Sequence, residues 1–228
     1  MLKVNVYALA IPPGLEFARL LSLYVPPSGA PTCSVCNGRD YFPEDLLVEW
    51  DDGSDQIGDF TSASARIVTT RSTFRTLSEE FPELDCRNLQ FHDHPNLYRP
   101  LKASKKSNKR IYLPYDGPPL CELVAKVTVP LLLDRSTVEI DKTCQACGRM
   151  VFKKISGIEV WNSRGRIPRA EGEGMFFSAD DLNHTDFFRP QFTGFLACTA
   201  RAKAFIEESG FTNIGFREVG EIVPPTMH

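Results

Sequence analysis

Two Cys-x-x-Cys segments, more than a hundred residues apart, constrain the fold of this 228-residue chain more than any other feature. The first contains Cys33 and Cys36, and the second contains Cys144 and Cys147 and continues into Gly148. Two cysteines separated by two residues and followed closely by glycine form a knuckle, a tight turn that presents both thiolates to one metal ion. Each knuckle supplies half of a tetrahedral site, so we expect the four cysteines to bind one structural Zn²⁺ per chain.

Each cysteine pair has other uses that the spacing alone leaves open: it could be reduced and idle, form a local disulfide, or act in redox catalysis. Redox catalysis is disfavoured because neither pair opens a helix after a thioredoxin-like strand. A zinc deaminase needs a His-x-Glu segment upstream and proline directly before the pair, but Thr32 and Thr143 occupy those positions. The repetition of the motif favours zinc over these alternatives.

The features that follow the first knuckle recur in the same order after the second. Trp50 and Trp161 follow the first cysteine of their knuckles at equal distance. Asp-Phe segments at Asp59 and Asp186 then lead into a strand pattern and a helix pattern. We interpret this order as a degenerate duplication. The predicted fold is α+β, with two degenerate repeats of zinc knuckle, strand and helix joined through a four-cysteine, zinc-ribbon-like site.

The chain is long enough to bury a hydrophobic core without help from metal. We predict a single compact unit, 1–228, made of two pseudo-repeats. The first half is 1–91, the second half is 121–228, and the connector at 92–120 is rich in proline, lysine, serine and asparagine.

Apolar alternation predicts strands at 4–10 and 123–129, and further short strands are expected at 46–50, 65–69 and 214–219. A continuous apolar run at 195–198 predicts a central strand buried on both faces. Residues 15–24 have the pattern of one or two helical turns. We expect Thr70 or Ser72 to cap one helix, and Thr199 to cap another that ends at Gly210. Surface loops are expected at 51–59 and 164–174.

The net charge of −3 and the isoelectric point near 5.9 argue against a dedicated nucleic-acid-binding protein. Charge is nonetheless clustered in two segments. The segment 102–110 carries five bases and no acid, and we expect a solvated loop in preference to a phosphate-binding site. The other segment is acidic and contains no base, so it is either a solvated loop or a surface for a basic partner. Its acids are Glu44, Asp45, Glu49, Asp51, Asp52, Asp55 and Asp59.

No sequence motif supports an enzyme, because the chain lacks a glycine-rich phosphate loop, a His-Glu-x-x-His segment and a Gly-x-Ser-x-Gly segment. His92 and His94 form the only histidine cluster, and we expect loop residues rather than metal ligands there. Pro12 and Pro13 break the N-terminal apolar stretch before a signal peptide forms, and no segment has the length of a membrane span. We expect a cytoplasmic protein whose thiols stay reduced and available for metal.

Together these features resemble the double-CxxCG family of myxobacterial paralogues, which includes Sit-type immunity proteins. The resemblance lies in the four knuckle cysteines, in Gly148 and Arg149, and in the closing patterns at 186–188 and 216–219. It implies a non-catalytic cytoplasmic protein that binds a cognate toxin domain. The first knuckle departs from the pattern, since its glycine, Gly38, stands one place late.

We therefore predict an immunity protein that neutralises a bacterial toxin by occlusion, with zinc in a structural role. The acidic segment is the predicted contact surface. The alternative is a zinc-stabilised nucleic-acid-binding or regulatory module that uses the bases at 102–110.

Overall fold

The computed structural model describes residues 4–14, 16–23, 33–38, 45–52, 56–92, 115 and 117–224. These residues form a mixed, strand-rich fold with sixteen strands and three helices. The strands are β1 (Val4–Ala10), β2 (Arg19–Ser22), β3 (Asp45–Asp52), β4 (Phe60–Ala63), β5 (Arg66–Thr70), β6 (Leu84–Phe91), β7 (Leu120–Ala125), β8 (Thr128–Val129), β9 (Val138–Thr143), β10 (Met150–Ile155), β11 (Val160–Asn162), β12 (Gly165–Ile167), β13 (Met175–Ser178), β14 (Phe187–Pro190), β15 (Ala197–Thr199) and β16 (Gly215–Val223). The helices are α1 (Arg71–Glu80), α2 (Ala179–Leu182) and α3 (Ala200–Glu208). Within these ranges no helix combines the length and the apolar character needed to cross a bilayer.

Six strands form a closed barrel in the order β2-β3-β6-β7-β5-β4. Burial alternates along β3, where Leu46, Val48 and Trp50 are buried and the residues between them are half-buried. This alternation arises because successive side chains of a strand point to opposite faces. The buried side chains of β3 meet Leu20 and Val68 from other strands and form the core of the barrel.

A second sheet of six strands has the order β13-β16-β1-β15-β14-β8. Its central strand β15 is buried on both faces. Cys198 packs into a core that contains Ile206 of α3, whereas Ala197 packs into a separate core with Phe188. The central strand predicted from the apolar run at 195–198 is therefore confirmed, and β15 overlaps the end of that run.

Both sheets have the same succession of strand directions. From β3 round the barrel to β2, successive pairs are parallel, antiparallel, antiparallel, antiparallel and parallel. From β13 across the second sheet to β8, the succession is identical. Two strands are exchanged relative to chain order, because β1 lies in the second sheet and β7 lies in the barrel. The division of the chain into 1–91, 92–120 and 121–228 stays a prediction.

Helices α1 and α3 follow equivalent strands and are capped in the same way. Thr70 accepts a hydrogen bond from the amide of Thr73 at the start of α1, and Thr199 accepts one from the amide of Ala202 at the start of α3. Both predicted threonine caps are confirmed. The two helices contribute to one core cluster that draws residues from both sheets.

Aromatic rings join the two sheets at this shared core. Phe60, the first residue of β4, makes an edge-to-face contact with Phe211, and the ring centroids are 5.9 Å apart. Phe187, the first residue of β14, makes the matching contact with Phe81 at 5.0 Å. Phe211 lies in the chain after α3 and Phe81 directly follows α1, so each ring packs on the segment after the other sheet's helix. Such pairs contribute about 0.5–1.5 kcal/mol each beyond the burial of their area.

Carboxylates provide a second set of contacts between the two parts of the chain. Asp59 accepts hydrogen bonds from the amide and the hydroxyl of Thr212, both at 2.8 Å, and from the hydroxyl of Thr73 at 3.0 Å. In the same sense, Glu83 accepts a hydrogen bond from the amide of Asp186 at 2.8 Å. Hydrogen bonds to charged groups are the stronger class, so these carboxylates hold the two parts in register.

The helical turns predicted at 15–24 are wrong, because this segment contains strand β2. Ala18 and Leu20 are buried, whereas Leu21 is 39% exposed, which is the alternation of a strand. Pairing with β3 supplies the backbone hydrogen bonds.

The single strand predicted at 123–129 is two strands in different sheets. The chain turns at Lys126, whose amide donates to the carbonyl of Glu83 at 3.0 Å. Its ammonium group donates to the carbonyl of Pro82 at 2.8 Å. The apolar alternation of Leu123, Ala125, Val127 and Val129 continues through the turn, so the pattern alone does not reveal the break.

The equal spacing of the two tryptophans does not reflect equivalent positions. Trp50 lies in β3 of the barrel, whereas Trp161 lies in β11, which pairs only with β12 among the described strands. Trp161 donates to the buried carboxylate of Glu159 and packs against Gly215, where an added Cβ would lie 2.5 Å from the indole. Strand β12 also falls within the segment predicted as a loop at 164–174.

Asp59→Asn tests the carboxylate contact with Thr212. Burial raises the pKa of Asp59, but the hydrogen bonds from Thr212 and Thr73 outweigh burial and hold this pKa below its usual 3.8. Because the pKa of Asp59 is lower in the folded protein than in the unfolded chain, its carboxylate stabilises the fold fully at pH values above the unfolded-state pKa. This contribution is lost as pH falls through the folded-state pKa. We expect Asp59→Asn to lower the free energy of unfolding by about 1–3 kcal/mol at pH 7. The deficit relative to the unmodified protein should shrink below about pH 4.

Urea unfolding followed by circular dichroism at several pH values measures this difference. Asp134→Asn is the matched control, because Asp134 is exposed. An Asp59 variant as stable as the control at pH 7 would contradict the role assigned to this carboxylate.

Candidate metal centre

The second knuckle forms the turn between β9 and β10, which pair as an antiparallel hairpin. The amide of Cys144 donates to the carbonyl of Arg149 at 2.8 Å, and the amide of Gly148 donates back to the carbonyl of Cys144 at 2.9 Å. Gly148 has a φ of 70°, the left-handed conformation that glycine adopts without steric cost. This glycine allows the chain to turn under both sulfur atoms.

The first knuckle has the same backbone geometry despite its different sequence. The amide of Cys33 donates to the carbonyl of Gly38, and the amide of Asn37 donates to the carbonyl of Cys33, both at 2.9 Å. Asn37 takes the place of Gly148 and has a φ of 51°. Asparagine is one of the few other residues that adopt this conformation readily. The displaced glycine of the sequence pattern therefore leaves the turn intact.

The two knuckles bring their four cysteines together, and all four sulfur atoms lie within 4.8 Å of one another. The distance from Cys33 Sγ to Cys144 Sγ is 3.7 Å, and the distance from Cys36 Sγ to Cys147 Sγ is also 3.7 Å. A tetrahedron with metal–sulfur bonds of about 2.3 Å has edges of about 3.8 Å. No disulfide is formed, because a sulfur–sulfur bond is about 2.05 Å long. The cluster thus has the dimensions of a four-thiolate metal site.

Backbone amides direct partial positive charge at the first cysteine of each knuckle. Amides of Cys36 and Val35 lower the pKa of Cys33 to about 6, and amides of Cys147 and Ala146 lower the pKa of Cys144. These two thiols are therefore the readiest to become thiolate ligands.

The pKa of the second cysteine of each knuckle is raised instead of lowered. An amide hydrogen bond from the residue two places on lowers the pKa of Cys36 and of Cys147. Partial desolvation of the sulfur atoms and the neighbouring thiols outweigh it and raise both pKa values, that of Cys147 to about 12. The neighbouring thiols contribute through crowding, since several negative sulfur atoms at this distance repel one another. A divalent cation removes that repulsion, so the donor set fits a bound metal ion.

Arg149 lies beside the cluster and against the first knuckle. A Cβ added at Gly38 would lie 2.6 Å from Cδ of Arg149 and 2.9 Å from Sγ of Cys36, so only glycine leaves room for this side chain. The guanidinium brings positive charge to a site that carries a net charge of −2 when four thiolates hold a divalent ion. Sequence analysis places Arg149 only in the family pattern and misses this contact, which depends on the meeting of both knuckles.

The three other cysteines lie outside the cluster. Cys121 and Cys198 are buried and Cys86 is half-buried. Burial raises the pKa of Cys121 to about 12 and also raises the pKa of Cys198. Cys121 and Cys198 therefore pack as small apolar groups, as the sequence predicts, whereas Cys86 accepts a hydrogen bond from Arg71.

Three of the acidic residues proposed as a contact surface have described side chains, and each of these makes a contact within the chain. Asp45 accepts a hydrogen bond from Gln90 at 2.6 Å, and Glu49 lies 3.0 Å from the imidazole of His92. The carboxylate of Asp59 is used internally by Thr212 and Thr73. Glu44, Asp55 and the side chains of Asp51 and Asp52 lie outside the described residues, as does the basic segment at 102–110.

No protein-family model matches the chain, and no curated protein matches it. The resemblance to the double-CxxCG family therefore stays a prediction that rests on the knuckles and on the closing sequence pattern.

Gly148→Ala and Asn37→Gly test the equivalence of the two turns. Alanine at 148 must adopt the left-handed conformation, so we expect Gly148→Ala to lower the free energy of unfolding by about 1–2 kcal/mol. Glycine at 37 adopts this conformation freely, so Asn37→Gly should change stability by less than about 0.5 kcal/mol. Urea unfolding measures both variants. If Asn37→Gly lowered the free energy of unfolding as much as Gly148→Ala, residue 37 would not occupy a left-handed turn position equivalent to that of residue 148.

Proposed function

We propose that this chain is a non-catalytic binding protein whose two halves are joined by one structural zinc ion. The observation that carries this proposal is the meeting of four cysteine sulfur atoms from segments 111 residues apart, at spacings of 3.7 Å. Zinc is the metal of choice because it favours tetrahedral coordination and thiolate ligands. Four protein ligands leave no open position for water or substrate, so the metal has a structural role.

The arrangement of the sheets supports the proposal of two degenerate repeats. Equivalent sulfur atoms face each other, first cysteine to first cysteine and second to second. The two sheets share one succession of strand directions, and the exchanged strands β1 and β7 each complete the sheet of the other half. Reciprocal contacts of this kind are what an approximate two-fold axis produces, as in an isologous dimer. In this proposal the axis passes through the zinc ion.

The resemblance to Sit-type immunity proteins supplies the biological role in this proposal. The protein binds a cognate bacterial toxin and occludes its active site. The acidic segment from Glu44 to Asp59 attracts a basic toxin surface, because clustered charge accelerates encounter between complementary partners. In the described part of that segment, Asp45 and Glu49 lie on β3 at half-buried positions. This acidic segment is the toxin-facing surface in the proposal.

Metal analysis of protein purified without chelator tests the zinc site. We expect about one zinc ion per chain, lost in Cys33→Ser and equally in Cys144→Ser because both knuckles share the ion. Each variant should lose more than about 4 kcal/mol of unfolding free energy, a size typical of the loss of a structural metal. Cys86→Ser is the matched control and should keep zinc, because Cys86 lies outside the cluster. Well-folded protein without metal, or zinc retained in one knuckle variant, would contradict a shared site.

Charge reversal tests the proposed contact surface. The gene for the cognate toxin should lie beside the gene for this protein, and co-expression of the two should rescue cells that express the toxin. We expect Asp51→Lys with Asp55→Lys to slow association with the toxin by about tenfold or more at low salt, and the effect should fade as salt rises. Surface plasmon resonance measures the association rate.

Asp134→Lys with Asp141→Lys is the matched control, because both residues are exposed and the change in net charge is the same. Equal association rates in the two double variants would remove the acidic segment from the proposal. Binding of nucleic acid that weakens steeply with salt would instead favour the alternative function through 102–110.

A further inference from the structure

The four-cysteine cluster is not equally accessible on all sides. Cys36 and Cys147 are exposed, whereas Cys33 and Cys144 are half-buried. The two exposed residues come from different knuckles, and their sulfur atoms are 3.7 Å apart. One edge of the sulfur tetrahedron therefore faces solvent, and the opposite edge faces the protein.

We propose that the exposed pair Cys36 and Cys147 is an oxidant-sensitive release for the metal: a hydroperoxide converts it to a disulfide and zinc leaves the site. This inference rests on the zinc site of the proposed function. One exposed thiolate attacks the peroxide, which forms a sulfenic acid and releases hydroxide. The second exposed thiolate attacks that sulfur, which forms the disulfide and releases a second hydroxide. Two thiolates and one hydrogen peroxide thus give one disulfide and two hydroxide ions, and the peroxide is the species reduced.

The geometry favours a bond between the knuckles over a bond within one of them. A bond within a knuckle needs Cys33 or Cys144, which are less accessible to solvent. The exposed sulfur atoms must instead approach each other by about 1.7 Å to reach the length of a disulfide. The exposed turns permit this movement.

Oxidation replaces one link between the halves by another. Zinc loses two of its four ligands and is left with Cys33 and Cys144 only, so its affinity falls sharply. The disulfide joins the same two knuckles and spans the same 111 residues as the zinc ion. The chain therefore releases zinc in response to peroxide while its two halves stay connected.

The other neighbouring pair of thiols provides an internal comparison. Cys86 and Cys121 lie on adjacent strands β6 and β7, and Cys121 is buried. Peroxide has no direct access to the sulfur of Cys121. This pair should stay reduced under conditions that oxidise the exposed pair.

The test treats the full-length, zinc-loaded protein with hydrogen peroxide. Zinc release is followed with a chromogenic chelator, and the cysteines are mapped by mass spectrometry of non-reduced tryptic peptides. Trypsin leaves each knuckle in one peptide, 20–39 and 143–149, and fragmentation of the linked pair assigns the sulfur atoms. We expect about one bond between Cys36 and Cys147 for each zinc ion released. Thiol reductant with added zinc should restore the metal site.

Cys86→Ser is the control and should release zinc with the same yield and the same linkage. Zinc release accompanied by bonds within each knuckle, or by sulfinic acids without a linked peptide, would overturn the inference. The inference would also be overturned if zinc were retained at a peroxide concentration that oxidises the thiol of a control peptide in the same reaction. Absence of zinc before treatment is a different result, which contradicts the proposed function itself.

Discussion

Four thiol groups within 4.8 Å of one another are the constraint on which the relation between the two parts of this chain depends. Sulfur atoms at this spacing repel one another when ionised, so a cation or protons must neutralise them. The fold itself supplies part of the neutralising positive charge. Backbone amides stabilise the thiolates of Cys33 and Cys144, and Arg149 lies against the first knuckle. In the proposed function, zinc supplies the remaining charge. The ion then acts as a staple between segments that are remote in sequence.

In this proposal, the zinc ion links two parts of the chain that already share a buried hydrophobic core. The shared core contains side chains of helices α1 and α3, and the ring pairs Phe60–Phe211 and Phe81–Phe187 connect the two sheets. The exchange of β1 and β7 means that neither sheet is complete without a strand from elsewhere in the chain. Loss of metal would therefore loosen the knuckles and their hairpin before it separated the two sheets. This order follows from packing, since the knuckles are half-buried or exposed whereas the shared core is buried.

The accuracy of sequence reasoning differed between local and distant features. Threonine caps at 70 and 199, strand β1 and the buried strand β15 depend on neighbouring residues, and all were predicted. The break at Lys126 was missed because its cause is a pair of carbonyl groups more than forty residues earlier. The tryptophan spacing misled for a related reason, since equal distance along the chain does not imply an equal place in a sheet. The turn at Asn37 could have been found from sequence, because asparagine is an accepted substitute for glycine in this conformation.

The sequence by itself determined the residue types that hold the centre, because thiol spacing and the residue after each pair are local properties of a knuckle. It also determined the threonine caps and the alternation of buried residues along strands such as β3. Only the tertiary structure decided that the two knuckles meet first cysteine to first cysteine, that β1 and β7 exchange sheets, and that Cys36 and Cys147 face solvent. It also decided that Asp59 binds Thr212 instead of solvent. These features depend on contacts between residues that are remote in sequence, and short-range pattern carries no information about which distant surfaces will pack together.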